Sequence, residues 1–170
     1  MNKLLITVFF SVLLSACGNT QKVNHTSYSK QVGDIVFDKT LDDTAFKLCN
    51  EERIVQYYNF SKSVQYEGEK VRIINHFKQH FQPLLDISQT GYVTIRFIVN
   101  CEGKTGRFRV QEMDNNYQVI SLDKALVTQI LKLTKDLDGW IVGVYDNKKF
   151  DYYQYLTFKI KNGSIEEIMP

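Results

Sequence analysis

The side chains of this 170-residue chain with chemistry to offer are three cysteines, two neighbouring histidines and a set of arginines set among apolar and aromatic residues. Cys49 and Cys101 can join as a disulfide or remain as thiols; neighbouring ligands at zinc spacings are missing, and so is the Cys-x-x-Cys of a redox catalyst. His76 and His80, four apart in "HFKQH", could hold zinc from one helix face. Without the glutamate of the zinc-protease motif or a third ligand, they read as exposed helix residues, so no metal site is expected. Arg96, Arg107 and Arg109, taken with Tyr92, Tyr153, Tyr155 and Lys159, form an array able to grip anionic groups and stack on aromatic rings. A face that is solvated, or covered by residues 34–60, is the competing reading of the same residues. Nucleophile elbow, phosphate loop and dinucleotide fingerprint are all missing, and the acid pairs Asp42-Asp43 and Glu166-Glu167 read as charged loops. The chain is therefore read as a non-enzyme without a cofactor.

Strands are needed to set the arginines and tyrosines on one face. In "GYVTIRFIV" from Gly91, the residues Val93, Ile95, Phe97 and Val99 share one side, and Tyr92, Thr94, Arg96 and Ile98 the other. Residues 100–105 carry turn types, and a return strand from Gly106 puts Phe108 and Val110 inward and Arg107, Arg109 and Gln111 outward. A last strand, Phe150 to Lys161, sets Tyr152, Leu156, Phe158 and Ile160 against Tyr153, Tyr155, Thr157 and Lys159. Glu69 to Phe81 has helical spacing of Ile73, Ile74, Phe77 and Phe81 before Pro83. Ser121 can cap a second helix carrying Leu122, Ala125, Leu126, Ile130 and Leu133. Residues 34–37 suit a short strand, and 42–60 fit a strand or a helix capped by Asn50. The order predicts an α+β fold: an antiparallel sheet of three strands or slightly more, with two helices on one face.

Twenty-one basic against nineteen acidic side chains leave a net charge of +2, too little to concentrate the chain on a nucleic acid. Met1-Asn2-Lys3 and the apolar run Leu4 to Leu14 form an export signal too short to span a membrane. Its ending, Leu13-Leu14-Ser15-Ala16-Cys17, resembles the bacterial lipobox. The resemblance implies cleavage before Cys17, with diacylglyceryl attached to its thiol as an anchor; two or three chains hold stably, at about 0.8 kcal/mol per buried methylene. Residues 1–16 are then the signal peptide and 17–32 a polar tether with a reach of at most about 50 Å. Gly18 after the cysteine, without an early acidic run, resembles lipoproteins of the outer membrane that face the periplasm. Export places Cys49 and Cys101 where disulfides persist, which favours their pairing.

From Glu69 onward the chain resembles the C-terminal domain of the TonB family. The matching stretches are Phe81-Gln82-Pro83, Gly91 to Val99, Glu102-Gly103-Lys104, Leu122 to Leu126, Trp140, Asn147-Lys148-Lys149 and Leu156-Thr157-Phe158. The resemblance gives a domain at 69–170 with residues 33–68 as an extension packing on it. It also implies a partner, a short protein segment added as a strand beside the last strand and flanked by Tyr153, Tyr155 and Thr157. The tether and lack of a proline-rich spacer argue against TonB's mechanical link between two membranes. Peptidoglycan is the alternative partner for the arginine and tyrosine face. The remaining readings are a structural envelope lipoprotein without a ligand, and a hydrolase using that face or His76 and His80.

Overall fold

A computed structural model describes residues 33–61, 63–84 and 88–170. The elements are β1 (Ile54–Gln56), a 3-10 turn (Tyr57–Asn59), α1 (Glu69–His80), β2 (Gly91–Val99), β3 (Thr105–Met113), α2 (Lys124–Lys135), β4 (Gly143–Tyr145), β5 (Lys148–Lys161) and β6 (Ser164–Met169). Six strands form a mixed open sheet, in place of the antiparallel sheet of three strands or slightly more read from the sequence. Its centre is β5, which pairs antiparallel with β2 from Tyr152 to Ile160 on one side. On its other side lie β1, running parallel at Asp151 to Tyr153, and β6, while β4 pairs antiparallel with its first residues, Lys148 to Phe150. β3 lies beyond β2.

Phe150 to Lys161 is thus neither the last strand nor an edge strand. Asn162 and Gly163 both take positive φ, 50° and 71°, the two-residue hairpin turn that an Asn-Gly dipeptide favours. It returns the chain as β6, where Ile168 packs into the core opposite Phe158.

The helices cover one face of the sheet. Ile73 and Phe77 from α1, with Leu126, Ile130 and Leu133 from α2, pack on Val93, Ile95, Phe97 and Val99 of β2 and Leu156, Phe158 and Ile160 of β5. Burying a side chain of this size is worth about 1.5–3 kcal/mol, so this layer supplies the main cohesion of the domain. The cap of α2 is Asp123, not Ser121: its Oδ1 accepts the amide N–H of Ala125 at 2.8 Å and of Leu126 at 3.0 Å. α1 ends at His80, where Phe81 turns extended ahead of Pro83.

The opposite face is covered by the extension, which forms neither the short strand at 34–37 nor a helix after Asn50. Ile35 is 4% exposed and packs with Ile98 and Tyr153, flanked by Phe46, Leu48 and Ile54. Phe46 lies flat against the backbone of Gly106, where a Cβ would sit 2.3 Å from the ring. Only glycine there lets the extension approach so closely.

Candidate functional site

The helix-free face of β3, β2 and β5 collects most of the residues singled out for binding. Cross-strand pairing aligns Arg109, Arg96 and Tyr155, then Gln111, Thr94 and Thr157, then Met113, Tyr92 and Lys159. The extension runs over the first of these rows as a strap, and the arginines hold it by its backbone. Arg96 Nη2 donates to the carbonyl of Gly33 at 2.8 Å, Arg107 Nη1 to Ile35 at 3.3 Å and Arg109 Nη2 to Val36 at 2.7 Å. Tyr153, 2% exposed, donates its hydroxyl to Asp34 Oδ1 at 2.9 Å and accepts from the Ile35 amide at 3.3 Å.

Two of the three guanidiniums also meet carboxylates from the returning leg of the strap. Arg107 pairs with Glu51. It stands at φ 54° in a bulge opposite Phe97, the extra residue that re-aims a side chain. Arg109 grips Asp42 with both ends of its fork, Nη1 to Oδ1 at 2.6 Å and Nη2 to Oδ2 at 2.7 Å. These bonds hold the Asp42 carboxyl below the ordinary carboxylate range, and the same contact raises Arg109. A carboxylate depressed in the folded state stabilises above its unfolded pKa of about 4, and that stability is lost as pH falls through the lower folded value. With the Asp42 side chain only 2% exposed, Asp42→Asn is expected to lose about 2 kcal/mol at neutral pH. Urea unfolding at stepped pH should show the gap to wild type constant above about pH 5 and closing below pH 4; a gap that persists in acid would discount the ion pair.

The strap is fixed at its far end by the disulfide between Cys49 and Cys101, 52 residues apart in sequence with Cα atoms 6.1 Å apart. Beneath it lies Asp151, fully buried. Its Oδ2 accepts the amides of Cys49 at 2.7 Å and Asn50 at 2.8 Å, and its Oδ1 accepts that of Cys101 at 2.8 Å. Three charge-assisted bonds compensate an anion that would otherwise be costly to bury. The two sulfurs and this carboxylate are the one cluster of metal-ligand type among the described residues, but the sulfurs bond each other and the carboxylate oxygens serve amides.

No family model, curated protein or solved structure matches this chain.

The remaining predicted residues lie outside the strap. Tyr92 is half-buried and stacks on Tyr117 with centroids 5.6 Å apart. Thr157 Oγ1 meets Thr94 Oγ1 at 3.0 Å, and Lys159 pairs with Glu166 at 2.7 Å. Tyr155 receives the edge of Tyr57, centroids 5.4 Å apart. The histidines are engaged locally: His76 Nε2 donates to the Leu133 carbonyl at 3.2 Å and His80 Nδ1 to the His76 carbonyl at 2.8 Å. Cys17 and residues 1–16, expected to be a signal peptide, lie outside the described residues, and among those described no helix is long and apolar enough to cross a membrane.

Asp151, Glu51 and Gly106 were not singled out in the sequence. Asp151 carries a signal of its own, an acid in phase with Tyr153 in the strand "FDYYQYLTF", where a buried charge needs partners.

Among the described residues β1, β3, β4 and β6 each have a neighbouring strand on one side only. β6 is lined by Glu166 and Glu167, with Lys159 and Lys161 bonded to Glu166, and charge is one way edges are kept from pairing. Along β3, from Thr105 to Gln111, the outer side pairs with no strand; beyond it Met113 bridges Val119. Apolar side chains flank this edge: Val110 at 36% exposed, Val119 at 72% and Tyr117 at 68%, with Val36 at 77% beside Arg109.

Proposed function

We propose that this chain is a lipid-anchored cell-envelope protein, held through Cys17 in the outer membrane and facing the periplasm. Its TonB C-terminal-like domain binds a segment of another envelope protein by adding it as a strand. The observation that carries the reading is the unpaired outer edge of β3, flanked by exposed Val36, Val110, Tyr117 and Val119. Main-chain bonds to such an edge give affinity, and alternate side-chain positions give selection. The edge of β5 is occupied by β1 at Tyr153 and by β6 at Thr157, and Tyr57 of the 3-10 turn packs on Tyr155 between them, so binding moves to the other end of the sheet. The Cys49–Cys101 disulfide fits an oxidising compartment.

A photo-crosslinking residue at position 110 in intact cells is the test, with one at the exposed Val144 as the comparison. A reproducible partner captured from 110 and not from 144, and weakened when Cys17→Ala releases the protein from membranes, is the expected result. Equal or absent capture at both positions would favour a structural lipoprotein without a discrete ligand.

A further inference from the structure

The strap is attached to the sheet as a bound peptide would be. Among the described residues its main-chain hydrogen bonds stay within it, from Leu41 and Asp42 to Asp38 and from Phe46 to Asp43, and none runs to a strand. Side chains of the sheet hold it instead: the three arginines, Tyr153, Asp151, and Asn100, whose Nδ2 donates to the Lys47 carbonyl at 2.9 Å. Ile35 fills an apolar seat made by Ile98 and Tyr153, and Phe46 lies on the bare backbone of Gly106. Residues 33–51 carry five acids against two lysines. Of these acids, Asp42 and Glu51 meet Arg109 and Arg107, and Asp34 is bonded to Tyr153, over whose ring the Arg96 guanidinium lies at 5.6 Å. If the strap lifts, the acids leave with it and the guanidiniums stay on β2 and β3.

One covalent bond keeps the strap from lifting as a whole. Cys49 is exposed and Cys101 half-buried, so the disulfide lies where a thiol in solution reaches it. While it is closed, the main chain lifts only as far as Leu48, because Cys49 is bonded to Cys101 and the amides of Cys49 and Asn50 sit on Asp151. Once it is open, the free arm extends to Arg53, just ahead of β1, which pairs with β5 from Ile54. Each further residue freed regains about 1–2 kcal/mol of main-chain entropy, opposed only by the two amide bonds to Asp151 at this end.

We propose that the Cys49–Cys101 disulfide is a latch opened by a dithiol protein, and that the face it uncovers binds an acidic, aliphatic segment of another protein in place of the strap. In the opening step a thiolate of the dithiol attacks the Cys49 sulfur, the S–S bond breaks, and Cys101 leaves as a thiolate that takes up a proton. The second thiol of the reductant then attacks the mixed disulfide, freeing Cys49 as a thiol and closing the reductant's own disulfide. The strap defines the chemistry of the ligand: carboxylates for the guanidinium forks, a branched aliphatic for the seat at Ile98 and Tyr153, and a flat ring for Gly106. Exchange of straps with a second copy would remake the same contacts and lose the entropy of association, which favours a foreign segment. The site is the covered face and does not depend on strand addition at the β3 edge.

The test uses the full chain in detergent, with the disulfide closed or opened by dithiothreitol, and a fluorescent peptide of residues 34–43 as the probe. Anisotropy should show saturable binding to the reduced chain and at least tenfold weaker binding to the oxidised one. Changes confined to the peptide, Ile35→Ala or Asp42→Asn, should each weaken it at least threefold, and a scrambled peptide should not bind. Hydrogen exchange of the reduced chain alone should show residues 34–51 open while β2 and β5 stay protected. Asp42→Asn in the oxidised chain loosens the strap without touching the latch, and should tighten the unaltered peptide at least threefold. Equal binding to both redox states, no binding to the reduced chain, or loss of protection in β2 and β5 together with the strap overturns the latch. In that last case the oxidised Asp42→Asn chain decides the face, which is overturned if the peptide binds no better than its scrambled form. Dimers that form on reduction before peptide is added would assign the face to a second copy and overturn the foreign segment.

Discussion

Asp151→Ala is expected to cost about 4 kcal/mol or more of folding stability, because it orphans three amides at once. The carboxylate is fully buried and is the sole described acceptor for the N–H groups of Cys49, Asn50 and Cys101. Each bond to an ionised acceptor is worth about 1.5–3 kcal/mol, and each buried donor left unmade costs about 1–3. A small cavity from the lost side chain adds to this. Asp151→Asn keeps the shape but turns an NH2 toward backbone donors, so at most one of its two head atoms accepts. It should cost nearly as much as alanine. Urea unfolding with the disulfide intact measures both, and a loss under about 1 kcal/mol for either would mean that the junction relaxes and finds other acceptors.

The placement of Asp151 also marks where the sequence is legible and where it is not. Alternation in β2 and helical spacing around Ile73, Phe77, Leu126 and Ile130 are local patterns set by burial on one side, and all of these residues are in the core. β6 was also within reach, since Asn162-Gly163 is a strong two-residue hairpin signal, but Glu166-Glu167 disguises the strand as a charged tail. Two paired strands would have followed from that one turn. The strap is different in kind. Its residues, 33–51, have no periodicity, because the sheet gives them their conformation through guanidiniums that reach their carbonyls. From the sequence, Arg96, Arg107 and Arg109 read either as an anion-gripping face or as one that is solvated or covered by residues 34–60. Which of them are spent on Asp42 and Glu51, 67 and 56 residues away, is decided only by the tertiary path. The bulge at Arg107 moves only Gly106 out of phase, onto the face of Ile98, while Val110 lies inward and Arg109 and Gln111 outward as the alternation predicts.

Replacing both Cys49 and Cys101 by alanine removes a cross-link spanning 52 residues, for which chain entropy predicts a loss of about 4 kcal/mol. The more discriminating expectation is where the stability goes. The strap meets the sheet through Ile35, Phe46 and the three arginines, an area small beside the helix-covered core. Hydrogen exchange should therefore show amides from 34 to 51 losing protection far more than those of β2 and β5, as local opening overtakes global unfolding. Uniform loss across the sheet would instead mean that strap and core unfold as one unit. The disulfide and Asp151 act on the same junction, since the carboxylate holds the amides of both cysteines. Without the cross-link, Cys49 and Asn50 can leave the carboxylate, which then takes water and no longer commits three donors. The two losses should consequently fall short of additive by about 1–2 kcal/mol in a double-mutant cycle. Strict additivity would show that Asp151 organises the β2–β3 turn and the strap independently. The shortfall would show instead that the bond and the buried anion hold one another in place at the end of the strap.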